Sequence, residues 1–249
     1  MIDSVYPENV TIRTLDVGGD KQIEYFNVPK EENPFLGNRG IRLCLSYASS
    51  FMEQLKALLM AGADKKLKIM LPMVTRIEEI TRTRELMEKA KKELELEGVA
   101  VSEDMELGIM IETPASAIMS EVFAKHCDFF SIGTNDLVQY IMSADRGNSA
   151  VENIYNPYSP AVLRMLNKVI NDGAKAGIKV SVCGDLAANT DFTEILLGMG
   201  LKKFSVPLPM INRIKKKISD INLSSAQKLV KQVLSAEDEN EVIKIIRKG

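Results

Sequence analysis

Arginine, carboxylate and thiol side chains stand where short apolar runs of the sequence end. Arg13 lies near the end of T-I-R-T-L-D (11–16), and Glu112 closes L-G-I-M-I-E (107–112). Asn135 and Asp136 follow F-F-S-I-G-T (129–134), and Cys183 closes the apolar part of I-K-V-S-V-C-G (178–184). Guanidinium groups bind phosphate and carboxylate oxygens through paired hydrogen bonds, so Arg13, Arg39 and Arg146 form an anion-binding set. Lys21, in G-G-D-K, adds a point charge. Glu112 and Asp136 offer hard oxygen ligands suited to Mg2+, an ion that retains waters and takes its remaining ligands from substrate oxygens. Cys183, just ahead of a glycine, has the chemistry of a general acid or base. Each residue also has a plainer reading: the carboxylates as helix caps or arginine partners, Arg146 and Lys21 as surface ion pairs, Cys183 as packing. Cys44 and Cys127 fall in helical contexts and read as packing, and His126, the only histidine, reads as a helix C-terminal cap.

Positioning such groups together requires elements whose ends converge. The runs at 11–16, 67–73, 107–112, 129–134, 178–184 and 203–207 are each followed by polar or small residues and then by a longer stretch of helical spacing. That alternation predicts parallel strands joined by crossover helices. Their near-continuous apolar character predicts burial on both faces. In such folds functional groups gather beyond the carboxyl ends of the strands, where the residues named above stand. Helical spacing covers 39–63, 76–97, 114–126, 160–176 and 191–198, with a further tail from Ser224 broken at 236–240. Six strand units are counted where a closed (β/α)8 barrel needs eight. The expected fold class is therefore α/β of the TIM-barrel type, incomplete by about two units, with added C-terminal helices. Residues 17–38, rich in Gly, Pro and charge, form a long loop after the first strand, a place where function is common. Lys215, Lys216 and Lys217 read as a solvated helix end. No linker or repeat marks a boundary, so residues 1–249 read as one domain.

Composition excludes several classes. The 249 residues are 45% hydrophobic and 27% charged, the balance of a soluble globular protein. Lys and Arg number 32 against 34 Asp and Glu, a net charge of -2, so no global field favours nucleic acid or an anionic membrane. Any anion site must be local. The three cysteines are far apart and odd in number, which argues against a disulfide framework or structural zinc and for a reducing cytoplasm. Neither a signal peptide nor a run of about 18 apolar residues occurs, so export and membrane insertion are not expected.

Together, I-R-T-L-D-x-G-G-D-K, the segment P-K-E-E-N-P-F-L-G-N-R-G-I-R, I-M-I-E-T-P, D-F-F-S-I-G-T-N-D-L-x-Q-Y, D-R-G-N and C-G-D-L-A resemble the phosphoenolpyruvate-binding C-terminal domain of Enzyme I. That family is the phosphoenolpyruvate-protein phosphotransferase of the bacterial sugar phosphotransferase system. The resemblance implies that Arg13 and Arg146 hold the phosphate and carboxylate of phosphoenolpyruvate, supported by Arg39 and Lys21. It also implies that Glu112 and Asp136 ligate Mg2+, that Asn135 contacts substrate, and that Cys183 protonates enolpyruvate to pyruvate. A homodimer is implied, as are a phosphohistidine domain and a histidine phosphocarrier protein as partners. In the family a further arginine and two strands precede the Arg13 strand, and the phosphohistidine domain lies upstream. The chain therefore reads as N-terminally truncated and, alone, not competent for complete transfer. Asp185 stands where the family usually has Glu, and Asn189 where it has Asp. A phosphoenolpyruvate synthase or pyruvate phosphate dikinase fragment shares the T-N-D and C-G elements, but I-R-T-L-D-x-G-G-D-K favours the phosphotransferase. A noncatalytic dimerisation module is the alternative of another class.

Overall fold

The structure, a computed structural model, describes residues 2–18 and 30–248. Lys21 and the middle of the anticipated loop lie outside the described residues. The chain divides into two compact units, Met1–Met110 with His126–Phe129, and Ile111–Lys125 with Phe130–Gly249. Among the described residues no helix is long and apolar enough to cross a membrane.

The first part of the chain forms α1 (Ile2–Val5), β1 (Val10–Arg13), α2 (Ile41–Ser46), α3 (Ala48–Ala61), β2 (Leu67–Leu71), α4 (Ile77–Leu96) and β3 (Glu106–Ile111). Strands β1 and β2 pair in parallel with Val10 opposite Leu67, and β2 pairs in parallel with β3 with Lys68 opposite Glu106. Every residue of β2 is buried, including Lys68. Its ammonium is not left alone there: it pairs with the Glu106 carboxylate and lies 5.6 Å from the centre of the Phe129 ring. Helix α4 starts where Glu79 turns back to accept the backbone N–H groups of Thr75 (2.7 Å) and Arg76 (2.8 Å), satisfying donors that a helix start leaves open. It buries Ile80, Thr83, Met87, Ala90 and Leu94, a stripe at helical spacing.

The rest forms α5 (Pro114–Ile118), α6 (Ser120–Phe123), β4 (Phe129–Gly133), α7 (Thr134–Met142), α8 (Pro160–Ala176), β5 (Lys179–Cys183), α9 (Asp185–Ala188), α10 (Thr190–Gly198), β6 (Lys203–Phe204), α11 (Ile211–Ser219), α12 (Leu223–Ser235) and α13 (Glu239–Lys248). Helix α8 turns Val162, Leu163, Leu166, Val169 and Ile170 inward. Asp172 is on the same buried face. Burial opposes its ionisation, but hydrogen bonds from Lys168 and from the Ser120 hydroxyl at 2.6 Å outweigh that and hold its carboxyl below the usual range. The Ser120 contact also fastens α6 to α8.

Along the sheet the strands follow chain order, β1-β2-β3-β4-β5-β6. This is the strand sequence of an α/β barrel, with six βα units among the described residues against the eight of a complete one. All six anticipated strands form within a few residues of their expected bounds, and the fold class is as expected. Several helical details differ. The stretch 39–63 is two helices, because Tyr47 (φ −110°, ψ 56°) leaves helical geometry while the apolar period runs through it unbroken. The stretch 114–126 is likewise broken, at Met119, and Cys127 is buried in extended chain ahead of β4 rather than in a helix. Helix α7 was not anticipated, because it begins on the residue after β4 with no loop to announce it. Helix α11 ends with Lys216 and Lys217 in its last turn, as expected for a basic run at a helix terminus.

Helices α10 and α12 approach so closely at Gly198 that a Cβ there would sit 2.4 Å from the Ala226 carbonyl oxygen. A backbone atom cannot swing aside. Gly198→Ala should therefore cost about 1–3 kcal/mol by overpacking, read as a lower denaturant midpoint at unchanged slope.

Candidate functional site

The carboxyl end of β1 delivers Arg13, and the segment before α2 delivers Arg39. Two guanidinium groups repel unless something negative lies between them. Asp16 supplies it: its carboxylate is 3.1 Å from Arg13 Nη1, and Arg39 Nη2 donates to both its oxygens, at 3.3 and 3.1 Å. The Asp16 side chain is 4% exposed and that of Arg39 7%, whereas that of Arg13 is 39% exposed. Arg39 is thus a buried strut, also stacked 5.9 Å from the Phe35 ring, and Arg13 is the guanidinium left facing solvent. Local turns fix the strut. Glu31 accepts the Asn38 N–H with both oxygens (2.9 and 3.1 Å), and Arg42 donates to the carbonyls of Leu36 and Gly37.

In the second unit Glu112 follows β3 directly and is buried, at 1% exposure. It does not serve as a helix cap. That role falls to Thr113, whose hydroxyl accepts the Ser116 N–H at 3.2 Å, with Pro114 in the first turn of α5. Asp136 lies in the first turn of α7 and is also buried. Glu112 and Asp136 are thus two buried carboxylates, each beside a strand end, with the hard oxygen donors that Mg2+ takes. Among the described residues no group of three or more His, Cys, Asp or Glu is placed to hold a metal ion. A pair fits Mg2+, which binds through one or two carboxylates and completes its shell with water and substrate oxygens.

Asn135 connects two strand ends. Its side-chain oxygen accepts the backbone N–H of Asp185 at 2.9 Å, and its carbonyl accepts the Tyr155 hydroxyl at 3.3 Å. The approach leaves no room for a side chain at Gly184, where a Cβ would lie 2.6 Å from Asn135 Oδ1 and φ is +88°. Cys183 closes β5, partly exposed. Its thiol donates to the Ile132 carbonyl (3.4 Å), and the Ser131 hydroxyl lies 3.5 Å from its sulfur. Arg146 stands on the exposed loop after α7. Burial pushes the Tyr155 hydroxyl up, Arg146 opposes this and Asp185 and Asp136 add to it, so the phenol lies within the field of all three.

Asp16, Tyr155 and Ser131 were not foreseen. Asp16 had a legible signal, an opposite charge three residues past Arg13. Tyr155 reaches Asn135 across 20 residues, which no local pattern encodes. The two departures from the family pattern are harmless locally: Asp185 is engaged through its backbone, and Asn189 caps α10 by accepting the Asp191 N–H at 3.0 Å. Residues 1–223 match the family described as PEP-utilising enzyme, PEP-binding domain.

The chain belongs to this family. It is 44% identical over 238 residues to a phosphoenolpyruvate-protein phosphotransferase of Priestia megaterium, covering 96% of this chain and 42% of that protein. A protein of the same name from Buchnera aphidicola subsp. Baizongia pistaciae is 46% identical over 235 residues, covering 94% of this chain and 41% of that protein. One from Staphylococcus aureus is 41% identical over 246 residues, covering 99% and 43%. The chain thus spans less than half the length of these relatives.

Burial pushes the thiols of Cys44 and Cys127 up to about 12. At pH 8 only about one in ten thousand of either would be ionised, and the thiolate is the reactive form. Iodoacetamide at pH 8 should therefore label native chain at Cys183 alone, with Cys44 and Cys127 reacting only after denaturation, as peptide mapping would show. Removing the charge between the arginines should be costly: Asp16→Ala should lower stability by about 3 kcal/mol in denaturant titration, because two guanidinium groups lose their shared partner.

Proposed function

We propose that the chain binds phosphoenolpyruvate with Mg2+ and serves as the catalytic domain of a phosphotransferase that passes the phosphoryl group to a protein histidine, releasing pyruvate. The observation that carries this reading is membership of the PEP-binding family over residues 1–223, together with relatives named phosphoenolpyruvate-protein phosphotransferase. The acceptor histidine belongs to a phosphohistidine domain, from which a histidine phosphocarrier protein takes the group as the first step of sugar uptake. The sole histidine of this chain, His126, is not assigned that part. The same reading includes a homodimer and a cytoplasmic setting.

The residues divide the work by charge. Arg13 and Arg146 hold phosphate and carboxylate oxygens, Arg39 keeps Arg13 in place through Asp16, and Lys21 adds positive charge. Asn135 orients the substrate. Glu112 and Asp136 hold Mg2+, which supplies neutralisation of phosphate charge as the phosphoryl group departs. When the bond between phosphorus and the enol oxygen breaks, its electron pair stays on that oxygen. The Cys183 thiol then gives its proton to the methylene carbon, producing pyruvate, and solvent reprotonates the thiolate. Its hydrogen bond to the Ile132 carbonyl keeps the S–H oriented beforehand.

Calorimetric titration of the chain with phosphoenolpyruvate should show binding that requires Mg2+, and Glu112→Gln or Asp136→Asn should remove that requirement together with most of the affinity. Heat of binding that is the same with and without Mg2+ would overturn the assignment of the carboxylates. In the longer polypeptide, Cys183→Ala should slow pyruvate release by about 100-fold, the size expected for loss of a general acid, with phosphoenolpyruvate affinity nearly unchanged.

A further inference from the structure

Helix α7 does not simply stop before the Arg146 loop. Ser143 adopts a left-handed conformation (φ 52°, ψ 35°), and the N–H groups of both Ser143 and Ala144 turn back onto the carbonyl of Gln139. The side chain of the same residue continues the hold: Gln139 is buried, and its Oε1 accepts the backbone N–H of Arg146 at 3.1 Å. Beyond that point the loop is fastened to itself, with Asp145 accepting the Gly147 N–H at 2.8 Å and Asn148 accepting the Ala150 N–H at 3.0 Å. It meets α7 again where the Tyr155 hydroxyl donates to the Asn135 carbonyl. Gln139 thus joins the helix that bears Asp136 directly to the backbone of Arg146.

We infer that Gln139 is a positioning residue for substrate, fixing through the Arg146 backbone the place from which the Arg146 guanidinium reaches an anionic ligand. This rests on the proposed binding of phosphoenolpyruvate. The physical need is plain: an arginine on an exposed loop loses its preorganisation when the loop samples many positions, and the lost order appears as weaker binding. A buried acceptor that gives up its partner also draws the loop back, since an unsatisfied amide oxygen in that site is unfavourable.

Gln139→Met keeps the side-chain length and removes the acceptor, whereas Gln139→Glu keeps an oxygen at the same reach. In the Met variant the Arg146 amide should exchange with deuterium faster than in the parent chain, and the dissociation constant for phosphoenolpyruvate with Mg2+ should rise about tenfold. The Glu variant should restore most of both, a rescue that a purely space-filling role would not produce. Unchanged exchange at Arg146 in the Met variant would overturn the hold itself. Faster exchange with unchanged affinity would overturn the positioning role. If the Met variant fails to fold, Gln139→Ser, too short to reach Arg146, makes the same comparison. A parent chain that binds no phosphoenolpyruvate would sink the proposed function and with it the substrate role of Gln139, while the exchange measurement would still decide whether Gln139 holds the loop.

Discussion

A strand buried on both faces has no length to spare for chemistry. All five residues of β2 and all five of β4 are enclosed, so polar function is pushed to the points where the chain leaves the sheet. Lys68, a charge inside β2, is answered within the sheet by Glu106 directly opposite, and by the face of Phe129. Arg13 closes β1, Glu112 follows β3, Asn135 and Asp136 lie just past β4, and Cys183 closes β5.

Charge at those exits is arranged in a hierarchy of burial. Asp16 is enclosed and joins two arginines, of which one is enclosed with it and one is not. The buried partner, Arg39, is enclosed with the carboxylate, and Arg13 carries the pair's positive charge out to solvent. A comparable separation of duties occurs after β3, where Thr113 takes the capping hydrogen bond and leaves the neighbouring Glu112 out of that task. The adjacent position is what makes this possible: a cap must be the residue just outside the helix, and Glu112 is one residue too early.

The parts of this architecture that depend on local pattern were readable in the sequence. β2, β3 and β4 appear as apolar runs because both faces are buried, whereas β1, β5 and β6 are partly exposed, against the expectation of burial on both faces; α4 and α8 appear because they turn a regular stripe inward. The residues at strand exits were readable for the same reason, and the family resemblance rests on them. Breaks that preserve the apolar period were not readable. Tyr47 interrupts a helix without interrupting its stripe, and α7 starts with no intervening loop. Contacts between distant segments were equally silent. The pairing of Tyr155 with Asn135 depends on where two chain segments meet in space, and spacing along the chain does not encode it.

The contact between Asn135 and residue 185 has a consequence for how this protein varies. Asn135 accepts a backbone N–H, a group that every amino acid except proline presents identically. It registers where the chain runs and is indifferent to which side chain sits there. The neighbouring Gly184 is the opposite case, since its close approach admits no Cβ at all. Two adjacent positions therefore face different constraints: a side chain at position 184 would meet Thr134 and Asn135, whereas the hydrogen bond at position 185 is made by its backbone and sets no demand on its side chain. What is recognised at this corner is a backbone atom at one position and the lack of a side chain at its neighbour.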